Sequence, residues 1–163
     1  MYTRLFAAFV CMAIFITPVH AGAGETANTR LSEKLQERLD HAYGPVWATG
    51  DASKFVSEFL ADDTVITASD SPAVWSGNKQ NTALIADLMT GYPRIDAKAV
   101  WTAPVGKKGA YQFVVFKLIP AEEGAEPLTA KSLYVWVKTK EGWRVVADHY
   151  SYVGMDKPTG LKE

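Results

Sequence analysis

The chain has 163 residues, 48% of them apolar and 21% charged, with a formal net charge of -1. Those proportions exclude a disordered chain, a collagen and a highly basic nucleic-acid binder. One domain of this length buries a sizeable core without disulfide or metal staples.

Residues 1–21 read as an export signal. Arg4 supplies a positive start, Leu5 to Ile16 carry no charge, Pro18 breaks the run, and Val19-His20-Ala21 offers a small-x-small cleavage site. That apolar run reaches about 18 Å as a helix, short of the ~30 Å hydrocarbon core of a bilayer. A cleaved signal is therefore expected rather than an anchor, with the mature chain starting at Gly22 in the periplasm or outside the cell. Cleavage removes Cys11, the single cysteine, so disulfides and cysteine chemistry are not expected of the mature protein. His41 and His149 stand in no metal-ligand motif, so neither a metal nor a cofactor is expected.

Residues 22–30 are small and polar and read as a flexible lead-in. Leu31, Leu35, Leu39, Tyr43 and Trp47 then recur at four-residue spacing, an amphipathic helix with Pro45 predicting a break near Tyr43. Gly50 ends it, and Asp51 is placed to cap a second helix that buries Phe55, Val56, Phe59 and Leu60. Thr64 to Ala68 and Ala73 to Ser76 read as short strands around a turn. Gly77 opens a third helix with Ile85, Leu88 and Met89 on its apolar side, closed by Gly91 and Pro93. Four longer strands follow: Arg94 to Ala103, Ala110 to Ile119, Ala130 to Lys138 and Trp143 to Val153. Residues 154–163 are a polar tail. Helices segregated before strands predict an α+β fold, three helices on one face of a curved antiparallel sheet.

This order resembles the nuclear transport factor 2-like superfamily, with its polyketide-cyclase-like and ketosteroid-isomerase-like members. The similarity is carried by Trp47-Ala-Thr-Gly50-Asp51, Phe59-Leu-Ala-Asp-Asp63, Trp75-Ser-Gly77 and the closing hairpin from Val135-Trp136 through Gly142-Trp143 to His149-Tyr-Ser151. That hairpin is similar to the last one of the calmodulin-dependent kinase association domain. The resemblance covers Leu31 to Ser151. It implies a cystatin-like cone, a bent sheet around a long helix with an apolar pocket inside. The superfamily contains enzymes, binding modules and assembly domains, so the fold does not choose among them.

An isomerase-like site needs a carboxylate base and an oxyanion hole. The resemblance puts the oxyanion tyrosine at Tyr43 and the second donor near Tyr134, where the family carries a carboxylic acid. The base position falls on Ala68, which moves no proton, and Asp70 is the nearest substitute. By strand alternation Trp143, Val145, Ala147, His149 and Ser151 share one face, and Ile95, Ala97, Ala99 and Trp101 another. Both faces are expected to point into the cone, which makes His149 the candidate base or hydrogen-bonding group. Asp148, Tyr150 and Tyr152 then point outward, with Asp148 paired to a lysine or arginine. The expected pocket residues are Tyr43, Trp47, Trp101, Tyr134 and His149, with Asp70 near the mouth.

The reading is an exported single-domain protein binding a small apolar or aromatic molecule. One alternative is an isomerase, dehydratase or hydrolase using His149 and Tyr43; another is a dimerisation or assembly module. The aromatics are not interleaved with basic residues, so no nucleic-acid partner is expected. Tyr111, Phe113 and Val115 face one way along their strand and Val114, Phe116 and Leu118 the other, so one apolar face is left without helices. A homodimer through that face is expected.

Overall fold

The computed structural model describes residues 22–153. The expected signal and the polar tail lie outside them. Helix α1 spans Gly22–His41, so the segment read as a lead-in is helical and continuous with the amphipathic stretch. Leu35 and Leu39 are fully buried from it. The chain does not break at Pro45. It widens into a π-turn over Ala42–Val46, where the Trp47 N–H reaches back to the Ala42 carbonyl. Proline has no N–H to give and its ring crowds the carbonyl four residues back, so a wider turn accommodates it. A 3₁₀ turn, Trp47–Thr49, and Gly50 at φ 69° end the run. Asp51 caps α2 (Ala52–Phe59) by accepting from the Lys54 N–H at 2.9 Å. Helix α3 is Gly77–Gly91.

The strands are β1 (Leu60–Ala68), β2 (Ser71–Ser76), β3 (Arg94–Val105), β4 (Gly109–Ile119), β5 (Leu128–Thr139) and β6 (Gly142–Val153). They form one six-stranded sheet in the order β2-β1-β6-β5-β4-β3. Every neighbouring pair is antiparallel except β1 with β6, which run parallel. This is an α+β cone. The helices lie on one face, where Phe55, Phe59, Val114, Trp136 and Val145 form the core.

Two bulges decide which residues reach that core. On β3, Ala99 pairs with Val114 and Trp101 with Phe113, so Val100 has no partner. On β6, Val145 pairs with Trp136 and Ala147 with Val135, which leaves Val146 extra. One extra residue reverses the inward–outward alternation of all that follow on that strand. Trp101 therefore turns outward and is 59% exposed, while Thr102 turns in and is buried. Likewise Trp143 and Val145 face inward, but Ala147, His149 and Ser151 do not. Asp148 is paired with the buried Tyr134 and takes the inward phase.

Candidate functional site

A cavity of ≈ 60 Å³ opens between the concave sheet face, the π-turn and α3. Leu84 and Leu88 of α3 and Ile95, Phe116 and Leu118 of β3 and β4 make its apolar wall. The polar end comes from Tyr43 on the π-turn, Ser132 and Tyr134 on β5, and Asp148 on β6. The widened turn is what brings Tyr43 over the sheet, among Trp47, Phe55, Phe59 and Phe116 with ring centroids 5.2–5.7 Å away. Trp47 is fixed by donating its Nε1–H to the Tyr92 carbonyl at 2.9 Å.

The hydroxyls of Tyr43 and Tyr134 hydrogen-bond at 2.5 Å. Burial pushes both phenols above their ordinary range, and the nearby Asp148 charge adds to the effect, so both stay neutral donors. Asp148 is the ionisable acid of the cavity. Its Oδ1 is buried and has no hydrogen-bond partner among the described residues. Burial lifts the carboxyl to about 7, and an interaction with the Ser132 hydroxyl opposes the rise. Tyr150 and Tyr152 follow Asp148 on the same face, and desolvation raises Tyr150 to about 12.

Of the expected pocket residues, Tyr43, Trp47 and Tyr134 line the cavity and Trp101 and His149 do not. His149 lies on the outer face, exposed, with Nδ1 2.9 Å from the Thr67 hydroxyl. Asp70 is exposed in the β1–β2 turn, near enough to act on the charges of Tyr150 and Tyr152 but outside the lining. Asp148 was expected outward against a cation. The bulge at Val146 puts it inside with no cation beside it among the described residues. The period-two set Asp148, Tyr150, Tyr152 is legible in sequence, but its phase relative to Trp143 is not. Among the described residues no three metal-ligating side chains come together.

No family model matches the sequence, and curated protein sequences give no match either. Solved structures do. A ketosteroid isomerase-like protein from Erwinia carotovora atroseptica superposes with TM-score 0.61 at 12% identity, covering 76% of this chain and 97% of that one. A nuclear transport factor 2-like superfamily protein from Salmonella enterica serovar Typhimurium gives 0.59 at 17%, over 86% and 100%. A protein from Novosphingobium aromaticivorans with a cystatin-like fold gives 0.59 at 20%, over 81% and 90%. The chain has the nuclear transport factor 2-like fold. Within that fold the polar end of the cavity is Tyr43, Tyr134 and Asp148, and the position at Ala68, on β1, holds no carboxylate.

Proposed function

We propose that this protein is exported and binds a small molecule in the cone, apolar body against α3 and β4, polar group against Tyr43, Tyr134 and Asp148. The observation that carries this reading is Asp148 Oδ1, a buried hydrogen-bonding group of the cavity lining that has no partner among the described residues. Buried polar groups are ordinarily paired, so an unpaired one in a cavity points to a partner from outside. The volume suits about four heavy atoms; a drug-sized ligand fills several hundred cubic ångströms and needs the walls to move apart. Export is supported by the pattern of residues 1–21. The test is a small-molecule panel read by amide chemical shifts of Ser132, Tyr134 and Asp148. Ala130→Leu fills the cavity from β5 and is expected to abolish any shift while the protein stays folded. A panel that moves none of these amides defeats the reading.

A second reading, proton transfer at a substrate carbon, is favoured by the position of that carboxyl near neutrality beside two neutral phenol donors. The ketosteroid isomerase-like name of one structural neighbour supports it at the level of fold. It predicts hydrogen–deuterium exchange at the methyl groups of acetone in D₂O, accelerated by the protein and not by Asp148→Asn. Equal exchange with both removes the enzyme reading and leaves the binding one.

A further inference from the structure

We propose that the ligand of the cavity is a small organic cation, an alkylammonium of about four heavy atoms, whose charge sits against the Asp148 carboxylate within a ring of aromatic side chains. This rests on the reading that the cavity binds a ligand at all. Three features of the lining carry the charge sign. Among the described residues it contains one carboxylate and no lysine, arginine or histidine, so the one full charge an anion would meet there is of its own sign. The carboxylate oxygen Oδ1 is buried without a donor among the described residues. Six aromatic side chains line the cavity with it, those of Tyr43, Trp47, Phe116, Tyr134, Tyr150 and Tyr152, and the face of such a ring attracts a cation.

A neutral ligand satisfies this site less well. A carbonyl brings only an acceptor, so it leaves Oδ1 unpaired unless Asp148 is protonated. One of the two phenol hydrogens is used between Tyr43 and Tyr134, so the pair keeps a single donor for a ligand acceptor, and that contact leaves Oδ1 without a partner of its own. An ammonium brings a donor and the opposite charge together, and charge-assisted hydrogen bonds are roughly twice as strong as neutral ones. The groups facing Asp148 are Tyr134 and Ser132 of β5, Tyr43 of the π-turn and Tyr150 of its own strand; Asp70 acts on Tyr150 from the β1–β2 turn, and Tyr92 and Asp70 act on Tyr152 farther along the cavity wall. The part of α3 that lines the cavity is apolar. Desolvation is what holds the carboxyl near neutrality, and a bound cation would draw it back toward the ordinary carboxylate range.

The experiment compares four probes of equal heavy-atom count: trimethylammonium, isopropanol, acetone and acetate. Each is titrated into the chain from Gly22 onward at constant ionic strength from pH 5 to pH 8.5, with the amide shifts of Ser132, Tyr134 and Asp148 as readout. Trimethylammonium is expected to bind at least tenfold tighter than isopropanol or acetone at pH 8. Its affinity is expected to fall by about tenfold per pH unit below the carboxyl's midpoint, and acetate not to bind. In Asp148→Asn the preference for the cation is expected to vanish while the neutral probes still bind. Neutral probes that match trimethylammonium at pH 8, or a cation affinity independent of pH, overturn the proposal and leave the binding reading intact. Silence from all four probes at every pH overturns both. The pH series on the unmodified chain keeps the test decisive if Asp148→Asn does not fold.

Discussion

Asp148 holds its charge at a desolvation cost that the Ser132 hydroxyl offsets only in part. Its folded pKa of about 7 lies above the 3.8 of an exposed aspartate. The sign follows from linkage: the raised value favours the folded state while the carboxyl is protonated, fully below pH 3.8, and that contribution is lost as pH rises through about 7. At about 1.4 kcal/mol per unit the loss amounts to a few kcal/mol. Stability of the ligand-free protein is thus expected to decline between about pH 4 and pH 7 from this group. Asp148→Asn is expected to flatten that decline, melting at or above the parent protein at pH 8; an unchanged slope in thermal melts across pH rejects it. The phenol pair gives a second residue-scale prediction. Tyr43→Phe or Tyr134→Phe strands the remaining hydroxyl and is expected to cost about 1–3 kcal/mol. The double variant should cost less than the sum, with a coupling of about 1 kcal/mol by chemical denaturation. Strictly additive costs would mean that the two hydroxyls do not support each other.

At the scale of elements, β3 is an edge strand, and its free backbone groups need a cover. Gln36 of α1 provides one. Its Nε2 donates to the Ala97 carbonyl at 3.1 Å and its Oε1 accepts from the Ala99 N–H at 2.8 Å, as a neighbouring strand would. The Val100 bulge then ends this pairing, and Ser32 continues the contact through the Thr102 hydroxyl at 3.3 Å. Gln36→Ala is expected to cost about 1–2 kcal/mol and to raise aggregation from the opened edge, read by denaturation and light scattering. A neutral effect on both would show water covering the edge as well as the amide does. The same strand shows what the amino-acid pattern carries. Helix spacing from Leu31 to Trp47, the Asp51 cap and the hairpin around Gly142 were all legible, because each is a local preference. The bulges at Val100 and Val146 were not, since both sit within apolar stretches where either phase looks acceptable. Each is decided by the partner strand: Val114 and Phe113 at one, Trp136 and Val135 at the other. So Tyr43, Trp47 and Tyr134 were placed at the cavity, while Trp101 and His149 were assigned to the face opposite their own.

On the whole molecule, the displaced residues compose the face without helices. One cross-strand row runs over all six strands: Val74, Thr67, His149, Leu133, Phe113 and Trp101 are successive register partners. The adjacent row is Val65, Ala147, Val135, Tyr111 and Ala103. Trp101, Phe113 and Val74 are 59%, 43% and 59% exposed, more large apolar surface than scattered single residues would give. Six strands at ~4.8 Å spacing make a face roughly 25–30 Å on a side, comparable to the ~800 Å² each partner commits to a stable complex. Lys98 and Lys131 border the rows along one side and leave them free of charge inside. A second copy, apolar row on apolar row about a two-fold axis, is the expected cover. The chain from Gly22 is accordingly expected to sediment as two copies at micromolar concentration. Phe113→Glu, a change at an exposed position that leaves the cavity untouched, is expected to yield one copy with unchanged secondary structure and unchanged amide shifts at Ser132 and Asp148. If the unmodified protein sediments as one copy, the outer face does not bind itself; if Phe113→Glu still sediments as two, the pairing uses another surface.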